Sequence, residues 1–377
     1  MKKLIFLALV MGMFTVGCNS FMIEGLLPQI GQTIGQPIAV TGQGISFYGL
    51  AYFLSAPLYS IIFSHKPVKL TMQMALAIFL LGNLITLISK TIVPFLIGMS
   101  LAGIGSGIFT PLCITIAMNV SDVSIRGRIS SLIWAANSAG VVFGVPFGLY
   151  LSSCFNWQLS IAYIIFLGVL VTISFSHLNA EIKLPSLPSI RERFLPLIDQ
   201  KILLIIGLTC LISTACLGLY SYVAAIQSGA PHSLAMTLFA WGLGGFIGSS
   251  LVGIFIDLTI KPQVLMVFIL VGLILTFVTL PFTKHLPYLG LIPFFLWGAF
   301  GWATTTPQQH ILFELQEEHA ATLAALNTSA VGLGSVCGTV IGGFVIASGL
   351  NEIYLPFFSS ALLFFVLICQ FTLIKNS

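Results

Sequence analysis

Charge is scarce in this chain. Asp, Glu, Lys and Arg make up 6% of its 377 residues, where a soluble domain carries about a quarter, so a water-soluble globule is excluded. The formal net charge of +4 comes from scattered bases that form no stripe, and no nucleic-acid partner is expected. The seven cysteines (Cys18, Cys113, Cys154, Cys210, Cys216, Cys337, Cys369) stand singly inside apolar runs, without a C-x-x-C pair or a Cys/His cluster at ligand spacing. They read as small packing residues, and no metal site is expected. A phosphate-binding glycine loop ending in Lys-Ser or Lys-Thr is missing, which argues against an ATP-driven pump. The six histidines lie near helix ends with no intramembrane His/Asp or Ser/His pair; neither an enzyme nor a cofactor is expected.

What the chain has instead is apolar length. Hydrophobic residues make up 58% of it, and the mean hydropathy is +1.09. A hydrocarbon core of about 30 Å takes roughly 20 apolar residues in a helix, and only helices and closed barrels satisfy their own backbone in lipid. The runs are continuous rather than alternating, so they predict helices: 4–27, 40–63, 70–89, 92–118, 129–153, 157–177, 202–226, 233–256, 263–282, 286–312, 320–348 and 351–374. The fold expected is all-α and polytopic, with twelve transmembrane helices. Residues 1–20, with Lys2, Lys3 and Gly17-Cys18, also fit a lipoprotein signal. The apolar run continues past Cys18 to Leu27, however, and Thr15 stands where a larger apolar residue is wanted, so a first membrane helix with nothing removed is the favoured reading.

An even number of crossings puts both termini on one side. Lys2, Lys3, Lys66, Lys69, Arg126, Arg128, Lys183, Arg191, Arg193, Lys201, Lys261 and Lys375 fall on one face, and only Lys90 and Lys284 on the other. The positive-inside rule then predicts cytoplasmic termini in the cell inner (plasma) membrane. The one long polar gap, rich in proline and carrying seven charges over 178–201, divides the chain into an N-terminal six-helix bundle (1–178), a cytoplasmic linker (179–201) and a C-terminal six-helix bundle (202–377).

The halves look duplicated. Shifting the second by 193 residues sets Gly49–Ser64 on Gly242–Asp257 without a gap, with Gly49/Gly242, Leu50/Leu243, Phe53/Phe246, Leu58/Leu251 and Ile61/Ile254 identical. At an offset of 190, Ala135–Gly140 falls on Ala325–Ala330 and places Asn137 over Asn327. Two matches at nearly one offset on corresponding helices are stronger than either alone. Units with an even helix count insert in the same orientation, which predicts a pseudo-two-fold axis along the membrane normal and a central cleft that opens by alternating access.

The segment Asn137-Ser-Ala-Gly140-Val-Val-Phe-Gly144-Val-Pro146-Phe-Gly148 resembles the glycine-proline signature of antiporters in the major facilitator superfamily. Gly25-Leu-Leu-Pro28-Gln-Ile30, Phe295-Leu-Trp297-Gly298 through Gly301-Trp302-Ala303, Thr306-Pro-Gln308-Gln309 and Ala325-Leu-Asn327 are similar to the same branch. That branch comprises twelve-helix drug, sugar and nucleoside exporters, including arabinose efflux permease-like proteins, and the resemblance spans essentially the whole chain. It implies proton-coupled export of a small molecule by a monomer. It also implies that Gly140, Gly144, Pro146 and Gly148 seal the cleft. Read physically, those glycines recur at i+4 on one face, where small residues let helices approach closely, and Pro146 permits a bend.

Two charges of the family pattern are missing. Ser64 stands where the resemblance wants an acid ahead of Lys66 and Lys69, whereas Asp257 with Lys261 keeps the equivalent pair in the second half. Ser64, Lys69, Arg126, Arg128, Asp257 and Lys261 are the expected cytoplasmic gate. Met99 replaces the family's intramembrane arginine, four residues before Gly103, which weakens the case for proton coupling and keeps open an uptake symporter or an uncoupled facilitator.

Of ten acids nine lie at or near loops, Glu352 at the very start of the last span, and only Glu24 lies well inside a predicted span. A carboxylate within the bilayer costs at least ~2.5–3.5 kcal/mol on insertion scales, so such residues usually face a cavity, and burial disfavours the charged form, which suits a group that exchanges a proton. Glu24 is the proton-coupling candidate, one turn from Ser20, where the family often has an acid; wetting at the outer interface near Pro28 is the competing reading. Asn19, Ser20, Asn137, Tyr222, Trp241, Trp302, Gln308, Gln309 and Asn327 are the substrate-cavity candidates, each also able to bond a neighbouring helix. They are neutral donors, acceptors and rings, which suits a small neutral or weakly basic solute such as a drug, sugar or nucleoside.

Overall fold

The computed structural model describes residues 2–62, 67–119, 126–176, 195–257, 261–316 and 320–375. Among these, every regular element is helical. The first of two compact units, Met1–Leu187, contains α1 (Lys2–Ile34), α2 (Gln43–Ile62), α3 (Val68–Ile88) and α4 (Ile92–Asn119). A fifth crossing follows as α5 (Arg126–Ala139), a π-helical turn (Gly140–Gly144) and α6 (Val145–Cys154), and α7 (Trp157–Ser176) completes the unit. The second unit, Pro188–Ser377, contains α8 (Gln200–Tyr220), α9 (Val223–Ile226), α10 (Leu234–Asp257), α11 (Pro262–Thr283), α12 (Ile292–Ala303), α13 (Thr305–Leu315), α14 (Ala320–Ala347) and α15 (Leu355–Lys375). Among the described residues, ten helices are long and apolar enough to cross a membrane. Large apolar side chains such as Phe166, Phe268 and Phe344 are exposed; patches of that kind would aggregate in water, whereas lipid solvates them.

The duplication is visible in the packing. Within the first unit α1 packs on α5 and α7, α2 on α4, and α3 on α4 and α7; within the second α8 packs on α14 and α15, α10 on α12, and α11 on α12 and α15. The two helices joined by the Asn137/Asn327 match therefore make the same pairing, α5 with α1 and α14 with α8.

Three elements depart from the apolar runs. Pro28 does not end the first helix, which continues to Ile34. A proline costs a membrane helix one backbone bond that neighbours can compensate, and the outer turns are held by Ser152 Oγ donating to Gln29 Oε1 at 2.6 Å and Trp157 Nε1 donating to Thr33 Oγ1 at 2.9 Å. The expected single helices over 202–226 and 286–312 are each broken. One breaks at Ser221-Tyr222, pinned to α14 by Ser221 Oγ against Thr339 Oγ1 and Tyr222 Oη donating to the Thr339 carbonyl, both at 2.7 Å. The other breaks at Thr304, whose hydroxyl turns back to Gly301 O at 2.7 Å, while Pro307 lacks the N–H that would continue the ladder from Ala303.

Most of the 179–201 segment lies outside the described residues; its end is a 3-10 turn (Leu195–Ile198) followed by Asp199, which caps α8 by accepting from Lys201 N at 2.8 Å. Such a cap satisfies an amide the helix leaves unpaired.

Candidate functional site

Because α1 runs ten residues beyond it, Glu24 stands well inside the helix and is 4% exposed. Its surroundings come from three helices. Ser20, one turn earlier on α1, bonds the Tyr48 hydroxyl of α2 at 3.0 Å, and Tyr48 lies near Glu24 and faces Asn19 and Ser106. One turn on, Tyr52 faces Thr110, and the two tyrosine rings stack at 6.4 Å. Glycines make the approach possible: a Cβ at Gly103 of α4 would overlap the Tyr48 carbonyl, and one at Gly107 the Tyr52 carbonyl. Small residues at i and i+4 therefore bring α4 against α2 backbone to backbone and carry Ser106 and Thr110 to the two rings.

This cluster is not saturated. Glu24 Oε2, Asn19 Nδ2, Ser106 Oγ and Thr110 Oγ1 are buried without a hydrogen-bond partner among the described residues. An orphaned buried polar group costs about 1–3 kcal/mol, and here four such atoms fall within one cluster of three helices, three of them on residues that face the tyrosine hydroxyls.

Other sequence candidates are occupied elsewhere. Asn137 Nδ2 donates to Met13 O at 3.3 Å, Asn327 Oδ1 accepts from Thr209 Oγ1 at 2.7 Å, and the Tyr222 hydroxyl belongs to the α8–α9 break. Each ties the helix pair repeated in both units. Trp241 is 1% exposed in a row of rings: 4.1 Å from Tyr220, 6.4 Å from Trp297 and 5.5 Å from Trp302. Trp302, at the end of α12, is half-buried, as is Gln309, whereas Gln308 is buried. The unit thus presents one indole and an amide beside the α12–α13 break.

Gly140, Gly144 and Gly148 face α1. A Cβ on them would overlap the Phe14 carbonyl, Cys18 Sγ and the Met22 side chain respectively. The π turn follows from Pro146: its missing N–H leaves the helical ladder short, and the Val145 amide reaches back five residues to Gly140 O. At the loop ends Lys69 Nζ donates to Ser176 O at 2.9 Å, and Lys261 is exposed just ahead of α11. Ser64 and the side chains of Arg126, Arg128 and Asp257 lie outside the described residues.

Tyr48, Tyr52, Ser106 and Thr110 were not among the sequence candidates. The available signal was their matched i, i+4 spacing on two helices joined by Gly103 and Gly107, which only a known helix pairing makes legible.

Residues 9–339 match the family model described as Major Facilitator Superfamily. The chain is 25% identical over 358 residues to the inner membrane transport protein YdhP of Escherichia coli (strain K12), covering 93% of this chain and 90% of that protein. It is 23% identical over 347 residues to a protein of Helicobacter acinonychis (strain Sheeba) named "Probable sugar efflux transporter", covering 88% and 86%. Its fold is similar to the crystal structure of a point mutant of the nucleoside transporter NupG, with a TM-score of 0.81 at 14% identity over 98% of this chain and 99% of that one. With a family model across most of its length and a helical fold of the same kind, this multi-pass membrane protein belongs to the major facilitator superfamily of transporters and is not an enzyme.

Proposed function

We propose that the chain exports a small neutral or weakly basic organic solute across the inner membrane by alternating access of its two units, in exchange for protons carried on Glu24. On this reading both termini lie in the cytoplasm, 1–178 and 202–377 are the transporting bundles with 179–201 as their linker, and the protein works as a monomer. The observation that supports it is the buried, unsaturated Glu24 carboxyl among neutral hydroxyls and an amide. With no cation beside it in the cluster among the described residues, its charged form is poorly compensated, so it is suited to holding a proton in one state and releasing it in another.

The solute class follows from the same chemistry. Asn19, Ser20, Trp302 and Gln309 offer hydrogen bonds and one ring face, which suits a hydroxylated or planar uncharged molecule better than a strong anion. The names of a sugar efflux relative and a nucleoside transporter of like fold agree with that class. Lys69, Arg126, Arg128, Asp257 and Lys261, with Ser64 in place of an acid, form the cytoplasmic gate on this reading.

A thermal-shift screen of nucleosides, sugars, amino acids and drugs identifies ligands, and proteoliposome uptake with and without a proton gradient follows on any hit. Glu24→Gln is expected to keep binding and to lose the pH dependence of transport; unchanged pH dependence would dismiss Glu24 as the carrier. One observation favours a second reading: Met99, buried at 3% exposure, fills the place of the family's arginine with a thioether. A facilitator of the same fold would equilibrate solute regardless of the gradient.

A further inference from the structure

We propose that Tyr48, Ser106, Tyr52 and Thr110 are positioning residues that relay protons between Glu24 and the cytoplasmic half of the first unit. The proposal rests on the reading of Glu24 as a proton carrier and adds the route, which that reading leaves open.

The geometry is a ladder. Tyr48 and Tyr52 stand one turn apart on α2, and Ser106 and Thr110 one turn apart on α4, so each rung pairs a phenol with an aliphatic hydroxyl. Side chains at i and i+4 share a helix face, and Gly103 and Gly107 hold the two faces together. Ser20 joins the upper rung to α1 through the 3.0 Å contact with Tyr48, which places Glu24 at the ladder's head. Ser55, three residues past Tyr52 and 1% exposed, continues the same face of α2. From Tyr48 to Ser55 the ladder covers about 10 Å at the helical rise.

Its chemistry fits proton transfer better than packing. A hydroxyl can accept a proton on its oxygen while releasing its own, so each rung breaks one O–H bond and forms one, with no net charge left behind. Pure packing would saturate these atoms, yet Ser106 Oγ and Thr110 Oγ1, although they face the two phenols, close no well-aligned hydrogen bond among the described residues, which lets each hydroxyl turn between partners. Among the described residues the cluster holds one acid, Glu24, two phenols and no base, and Met99 on α4 supplies no cation, so nothing charged competes for the proton along the way.

The test needs no solute. The full-length protein in lipid nanodiscs is switched from H2O to D2O, and infrared difference spectra follow the protonated carboxyl band that Glu24→Gln removes, whose position shifts on deuteration. Tyr48→Phe is expected to slow that exchange at least tenfold and Ser106→Ala several-fold, each with a thermal midpoint well above the temperature of the measurement, while Ser106→Thr keeps the original rate. Tyr52→Phe serves as the second phenol variant if Tyr48→Phe does not fold. A band that exchanges in Ser106→Ala and in the phenol variant as fast as in the unsubstituted protein overturns the relay alone. A protein in which no band depends on Glu24 overturns the carrier reading and the relay with it.

Discussion

Thr209→Val separates a packing role from a solute-binding one for Asn327. Thr209 Oγ1 donates to Asn327 Oδ1 at 2.7 Å and also lies 3.1 Å from Ile205 O; the two residues are 1% and 0% exposed. Valine keeps the shape and removes the donor. The lost interhelical bond is worth on average ~0.6 and at most ~1.7 kcal/mol in membrane proteins, and the abandoned Oδ1 adds part of the ~1–3 kcal/mol of an orphaned buried acceptor. Because Asn327 Nδ2 is already without a partner among the described residues, the amide then has no hydrogen bond at either end, and a loss of about 1–3 kcal/mol is expected. Asn327→Leu removes both polar ends at once and leaves Thr209 its own Ile205 carbonyl, so it should cost less than Thr209→Val, and the double variant should recover part of that loss. Unfolding of the four proteins in bicelles, read as a double-mutant cycle, gives the order. An Asn327→Leu variant more damaging than Thr209→Val would refute the packing role. That role is equally refuted if the Asn327→Leu variant keeps full stability while losing a solute that stabilises the unsubstituted protein.

Gly140→Ala is expected to destabilise the first unit by about 1–3 kcal/mol, because the added methyl meets the Phe14 backbone carbonyl rather than a side chain that can turn away; a thermal midpoint in detergent indistinguishable from that of the unsubstituted protein would contradict it. His232, between α9 and α10, has both ring nitrogens unpartnered among the described residues, lies near Gly290 and Phe294, and is held below the usual histidine range by burial. A histidine whose folded form binds its proton less readily than its unfolded form gives full stability above about pH 6.5 and loses it as the pH falls below that value. His232→Gln should therefore flatten the decline of the thermal midpoint between neutral and mildly acidic pH, and an identical slope in both proteins would remove His232 from the account.

Where the helices lie, and that the chain is a membrane protein built twice, could be read from the order of amino acids alone. In lipid each crossing must satisfy its own backbone, so the information for a crossing is local and is written as apolar length. Gly49–Ser64 over Gly242–Asp257 marked the repeat for the same reason, since corresponding faces meet corresponding neighbours. The interruptions were less legible: Pro28 looked like an end and is not, because Gln29 and Thr33 are held by Ser152 and Trp157 from more than a hundred residues away. The break at Ser221-Tyr222 contains no proline or glycine, and its bonds to Thr339 on a distant helix are what pin it. The candidate site was half legible. Glu24 stood out as the lone acid in an apolar run, while Asn137 and Asn327 stood out equally and proved to be joined to other helices. What a polar side chain in a bilayer does depends on which donor or acceptor the neighbouring helix brings to it, and that partner is chosen by packing. Tyr48, Ser106 and Thr110 acquired their meaning only when Gly103 and Gly107 brought α4 against α2.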